Sequence, residues 1–180
     1  MSNKLTINHL AKRMPYGLIG LSKYDTMYKL NTYSNMSGRG IENRTIASFL
    51  DEQIKPILFP LSALTQEITV NGETFVPIVK ILKRTSLIDL SKCEFEIYIE
   101  DNEIYVNAHL NRRIIIDSMY YDYNLFFHME NSRNYKATNP QSEPQNILLE
   151  LHIDTDDLIG QGLAISVFDL PKNPYKGGQK

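Results

Sequence analysis

The tightest group of residues able to do chemistry is Asp154, Asp156 and Asp157, three carboxylates within four positions. Oxygen ligands of this kind can gather a hard cation, but the spacing fits no metal loop. Negative charge at the start of a short helical turn is independently favourable by about 0.3–1 kcal/mol, so a capping role is the expectation and a metal role is not. His9, His109, His128 and His152 are dispersed, without an HxH or HExxH pair, and no serine stands in a nucleophile-elbow context. His152 lies in an apolar run, where a satisfied core histidine is the usual outcome. Ser37-Gly38-Arg39-Gly40 is too short for a phosphate loop and reads as a turn. Cys93 has no activating base nearby in sequence and reads as an inert thiol. One association of basic and aromatic residues has some size: Tyr98, Tyr105, Tyr120, Tyr121 and Tyr123 with Arg112 and Arg113. Such surfaces can stack bases, yet Glu94, Glu96, Glu100 and Glu103 share the region and would repel a nucleic-acid backbone. A protein partner is the better fit, and Tyr98, Tyr105, Arg112 and Arg113 are the expected contact residues.

The elements that position these residues follow from periodicity. Phe95, Ile97 and Ile99 alternate with Glu94, Glu96, Tyr98 and Glu100, and after Asp101-Asn102 the alternation resumes as Ile104, Val106, Ala108 and Leu110. This predicts a hairpin with one apolar face, which Phe95, Ile97 and Ile99 bury, leaving Tyr98 and Tyr105 as an outward cross-strand pair; the alternative is that both faces pack internally, with the Tyr120 to Phe127 segment over the two rings. Ile114 to Ile116 and Leu125 to His128 read as further strands, with the tyrosines between them, and 131–146 as a long exposed loop. Earlier in the chain, Thr6 caps a short helix to about Lys12. Leu18 to Leu21 and Met27 to Tyr33 read as paired strands, Asn35 to Gly40 as a turn, and Arg44 to Leu50 as a third strand through Ile46 and Phe49.

The stretch Lys55 to Leu82 closes this first unit. Pro56 and Pro60 hold Ile57, Leu58 and Phe59 extended. Ser62 is suited to cap a short helix that buries Leu61, Leu64, Thr65 and Ile68. Asn71-Gly72 is the strongest turn signal in the chain, and Pro77 suits the first position of a helix ending near Lys83-Arg84. Asp154 to Asp156 start a turn that ends at Gly160 or Gly162, and the stretch after Pro171 reads as a frayed tail outside the core.

Composition sets outer bounds. The chain has 180 residues, 42% of them hydrophobic, enough for one good core or two small ones. A net charge of -2 gives no general attraction to nucleic acid or an anionic membrane. A single cysteine excludes an intrachain disulfide and any cysteine-based zinc site. No apolar run approaches a membrane span, and the start lacks a signal-peptide pattern, so a cytosolic location is the expectation from composition. The fold class expected is α+β: short antiparallel strands in a curled sheet or small barrel-like unit over 1–82, a hairpin-based second sheet over 83–172, few short helices, and a flexible tail over 173–180.

Five segments occur in order: Pro15-Tyr16-Gly17-Leu18, Lys55 to Thr65 (KPILFPLSALT), Asn71 to Ile78 (NGETFVPI), Leu158 to Ile165 (LIGQGLAI), and Asn173 to Lys176 (NPYK). Together they resemble a family of small uncharacterised proteins encoded by phages and mobile elements of Gram-negative gut anaerobes. The resemblance covers roughly the first 80 and last 30 residues, on the scale of one domain. Phe59 stands where the family pattern has an arginine, and Thr85 to Asn146 has no counterpart in it. What the resemblance implies is a phage or mobile-element setting and no particular chemistry. The functional expectation is therefore a non-enzymatic accessory protein, without cofactor or metal, that binds a host protein such as a defence component, or a small signalling ligand. A structural part of a phage particle is the alternative, and an enzyme of unrecognised type ranks third because no catalytic constellation stands at recognisable spacing.

Overall fold

In the computed structural model, residues 4–30, 41–111, 114–121, 127–131 and 142–177 are described. The fold class is α+β, with ten strands and four short α-helices among these residues. The chain forms two compact units. One contains Met1–Leu61, Thr69–Gly72 and Leu148–Lys180, and the other Ser62–Ile68 and Glu73–Ile147. The grouping is discontinuous, in contrast to the consecutive division at Leu82 expected from sequence.

The first unit begins with α1 (Ile7–Ala11), where the Thr6 N–H donates to His9 Nδ1 at 3.2 Å and so fastens the first turn. A 3₁₀ turn at Met14–Tyr16 then ends on Gly17 with φ of 75°, a left-handed conformation that glycine takes at little cost. Strands β1 (Leu18–Ser22) and β2 (Met27–Leu30) form the expected antiparallel hairpin. Its turn is tied by the Ser22 hydroxyl, which accepts from the Tyr24 and Thr26 N–H groups. On the other side of β1 lies β3 (Ile54–Leu58), antiparallel, and beyond it β10 (Ile165–Ser166), parallel to β3. The order β10-β3-β1-β2 leaves this sheet open, so the described residues of the unit form no closed barrel.

Two expectations for this unit are corrected. Arg44 to Leu50 is helical, within α2 (Ile41–Leu50). Ile46, Phe49 and Leu50 are three and four positions apart, a helical stripe, and all three pack on the cluster of Leu5, Leu10, Leu18, Leu30, Ile54 and Leu58. The expected turn at Asn35 to Gly40 lies outside the described residues. The second correction concerns the C-terminal segment, which is core rather than frayed tail. Tyr175 is buried, and its hydroxyl and main chain are both hydrogen-bonded within the unit. Leu158, Leu163 and Ala164 join the same apolar cluster as α1 and β1.

Strands β4 (Ile68–Val70) and β5 (Glu73–Phe75) meet at Asn71-Gly72, with φ of 53° and 84°. Positive φ at both central residues is the hairpin turn expected there. The preceding 3₁₀ turn, Leu61–Thr65, contains Ser62 instead of being capped by it, and Ile68 opens β4.

In the second unit, α3 (Pro77–Thr85) begins with proline at its first position and carries Lys83 and Arg84 in its last turn, as expected. It buries Ile78, Ile81 and Leu82 and lies against the second sheet at β7. That sheet is an antiparallel meander of β6 (Glu94–Glu100), β7 (Glu103–Leu110), β8 (Ile114–Tyr121) and β9 (Phe127–Asn131). Its inner face buries Val106, Ala108, Met119 and Tyr121. Tyr120 and Tyr121 lie within β8 and not between strands. Burial fades along β6, where Phe95 and Ile97 are half-covered and Ile99 is 66% exposed, short of the buried apolar face expected. The region expected to be one loop ends in α4 (Ser142–Glu150), which tolerates Pro144 because a first-turn N–H has no intrahelical partner to lose.

Candidate protein-contact face

The outward face of the second sheet carries a row of stacked tyrosines. Asp101 and Asn102, with φ of 49° and 66°, make a two-residue turn that sets Tyr98 directly opposite Tyr105. Their ring centroids are 4.9 Å apart and the planes are within 4° of parallel. Tyr120 continues the row on β8, opposite Tyr105, with centroids 5.3 Å apart. Tyr98 is 39% exposed, and Tyr105 and Tyr120 are half-buried. The backbone register aligns His128 of β9 with Tyr120.

Tyr120, expected near this group but between strands, lies within β8, and a β-bulge sets it on this face. Leu110 pairs Ile114 and His109 pairs Ile115, but the register shifts by one, so that Ala108 pairs Asp117 and Tyr105 pairs Tyr120. Without the bulge Met119 would face Tyr105, and Tyr120 would turn into the core. Arg112 and Arg113, the two cations expected to complete this surface, lie outside the described residues.

Acidic side chains frame the row. The Tyr105 hydroxyl donates to Glu103 at 2.6 Å, and this hydrogen bond to a carboxylate raises the phenol to about 12, since a phenolate would lose it and face like charge. Glu96 and Glu100 stand on either side of Tyr98 along β6, and Glu96 contacts His109 Nε2 at 3.1 Å. The face thus offers flat π-surface bordered by carboxylates, an arrangement suited to cationic or neutral planar groups and hostile to phosphate.

The other sequence candidates have structural explanations. The Asp154 carboxylate accepts from the N–H groups of Asp156, Leu158 and Ile159, so it closes the turn that precedes the buried Leu158. Asp156 pairs with Lys12 and with Arg13 Nη1 at 2.8 Å. Burial alone would raise the Asp156 carboxyl, but the Lys12 hydrogen bond and the Arg13 charge together hold it below its ordinary value. Arg13 is fully buried, and its guanidinium also reaches the His9 and Ile153 carbonyls and the Thr155 hydroxyl. His152 stacks on Tyr175 with centroids 4.0 Å apart, yet its buried Nδ1 has no hydrogen-bond partner among the described residues, so it is buried but not the satisfied core histidine expected; burial, with the nearby Arg13 and Lys29 charges, lowers it to about 3. Cys93 is half-buried and free. No group of three metal-ligating side chains comes together among the described residues.

The segments around Lys55, Asn71, Gly162 and Tyr175 hold one another. Lys55 donates to the Gly162 carbonyl at 2.6 Å, the Tyr175 hydroxyl donates to the Ile57 carbonyl, and the Asn71 N–H donates to the Tyr175 carbonyl at 2.7 Å. These residues build the frame of the first unit. Phe59 is buried against Phe168 and Tyr175, with ring centroids 6.0 Å away in each case.

Two open pockets accompany these features. One of about 290 Å³ in the first unit is lined by Lys23, Tyr24, Tyr28, Arg44, Ser48 and Gln53. The other, of about 430 Å³ in the second unit, lies between α3 and β6, where Lys80 sits 3.8 Å above the Phe75 ring while pairing with Glu73. No helix among the described residues is long and apolar enough to cross a membrane. Comparison with protein-family models, curated proteins and solved structures finds no match.

Proposed function

We propose that this chain is a non-enzymatic binding protein, an accessory protein of a phage or mobile element that engages a host protein such as a defence component. The observation that carries the reading is the tyrosine row of Tyr98, Tyr105 and Tyr120, open on its outer side and bordered by Glu96, Glu100 and Glu103. Stacked tyrosines present contact area at low entropic cost, and the carboxylates steer the choice away from nucleic acid toward protein. The phage or mobile-element setting, with the host cytoplasm or the virion as location, rests on the sequence resemblance alone.

A small signalling ligand is a second reading, favoured by the pocket whose wall combines Lys23 and Arg44 with Tyr24 and Tyr28. A structural role in the phage particle is the third, and cofractionation with purified virions separates it from the other two. The test of the main reading is affinity capture from infected host cells with the wild-type chain and with Tyr98→Ala. Capture of a defined protein that weakens with Tyr98→Ala, at an unchanged melting temperature, supports the contact face. Equal capture by both forms, or loss of fold in the variant, overturns it.

A further inference from the structure

We propose that the free edge of β6 receives a strand from a basic partner protein, which adds itself to the sheet and extends the tyrosine row by one residue. The inference rests on the contact-face reading and names the chemistry of the partner. In the order β6-β7-β8-β9, β6 is terminal, and among the described residues it pairs only with β7. A terminal strand presents a line of outward N–H and C=O groups, which is a template for an added strand. The side chains then set what that strand must carry, because residues opposite one another share a face.

On one face the added strand meets Glu96, Tyr98 and Glu100. A residue opposite Tyr98 falls in line with the stacked rings, whose last outer surface is that of Tyr98, and a guanidinium there stacks on the ring while the carboxylates on both sides neutralise it. On the other face it meets Ile97 and Ile99, and the 66% exposure of Ile99 leaves apolar surface for an apolar side chain to cover. The strand that fits alternates arginine or lysine with apolar residues.

In the Tyr98-centred register a second copy of this chain does not fit. Antiparallel self-pairing centred on Tyr98 sets Glu96 of one copy opposite Glu100 of the other, twice over, and like charges directly opposite are destabilising. The carboxylates that disfavour this self-pairing are the ones that select a basic strand.

The experiment uses the full chain and synthetic peptides matched to the seven residues of β6. One peptide alternates arginine and valine, one alternates glutamate and valine, and two are arginine forms N-methylated on alternate residues, so that each blocks one hydrogen-bonding edge. Binding is read by fluorescence anisotropy, and amide hydrogen exchange locates it. The expected result is salt-sensitive binding of the arginine peptide with slowed exchange at β6, and no binding of the glutamate peptide. One N-methylated form is expected to bind and the other to fail. Glu96→Lys with Glu100→Lys should weaken the arginine peptide about tenfold or more at an unchanged melting temperature. Failure of the arginine peptide, equal binding of both N-methylated forms, or dimerisation through β6 overturns the proposal. If partner capture still depends on Tyr98 in that event, the contact face stands and strand addition alone is wrong. If capture is indifferent to Tyr98, the contact face itself falls.

Discussion

The Tyr175 hydroxyl donates to the Ile57 carbonyl at 2.7 Å and accepts from the Ile19 N–H at 3.2 Å, so one side chain near the C-terminus joins β1 and β3. Burial pushes this phenol above its ordinary range, and it remains a neutral donor throughout the usual pH scale. Tyr175→Phe keeps the ring against His152 and Phe59 but removes the hydroxyl that both backbone groups use. The expected cost is about 1–3 kcal/mol, seen as a lower denaturant midpoint with an unchanged slope. Undiminished stability would show that the two hydrogen bonds of the Tyr175 hydroxyl add nothing to the fold.

Gly20 has a steric role. A Cβ built there comes within the contact distance of the buried Phe49 ring and of Ile54, too close for either to remain in place. Gly20→Ala should therefore destabilise by about 1–3 kcal/mol through overpacking, despite alanine's ordinary fit to a strand. Thermal melting of the single variant, set beside Gly20→Ala with Phe49→Leu, checks the cause, because the smaller side chain should restore part of the loss.

Gly72 has the opposite problem. Nothing stands within 4 Å of a Cβ at this position, so space is not limiting, but φ is 84°. Gly72→Val should lower stability by about 1 kcal/mol or more through backbone strain alone, and Gly72→Asn by less, since asparagine tolerates this region. Equal melting temperatures for all three proteins would count against the turn as a structural requirement.

His152 links stability to pH. Its folded value of about 3 lies below the unfolded 6.5, so the folded state binds fewer protons over this interval. The stability that comes from keeping it neutral is fully present above 6.5 and is lost as pH falls toward 3, at up to about 1.4 kcal/mol per unit. His152→Phe retains the stack on Tyr175 and removes the titration. Its stability should be flatter than wild type between pH 6 and about 4, as measured by chemical denaturation at each pH. The Asp156 carboxyl, held low, acts in a separate window: its contribution is present above 3.8 and lost as pH falls through its folded value. Parallel pH profiles for wild type and His152→Phe would place the acid sensitivity elsewhere.

Short-range features were legible because they are written in the residues that adopt them. Asn71-Gly72 and Asp101-Asn102 tolerate positive φ, Pro77 fits only the start of a helix, and the alternation over Glu94 to Leu110 can place Tyr98 and Tyr105 on one face in no other way. Arg44 to Leu50 forms α2 rather than the expected strand because Ile46, Phe49 and Leu50 stand at helical spacing and pack on one apolar cluster, a stripe the residues themselves carry.

What tertiary structure alone decided depends on distance along the chain or on a one-residue offset. Arg13 meets Asp156, and Tyr175 meets Ile57, through side chains more than a hundred positions apart, and no local pattern marks either pair. The Gly and Lys content after Pro171 suggests fraying, yet the hydrogen bonds of Asn173 and Tyr175 to Thr69, Asn71, Ile19 and Ile57 anchor that stretch. The bulge between Ala108 and His109 moves Tyr120 from the core face to the tyrosine row, although nothing in the residue types announces it. Alternation by itself therefore determined which residues of the β6–β7 hairpin share a face. The third ring of the tyrosine row was decided by register, because a single inserted residue exchanges the two faces of every position that follows.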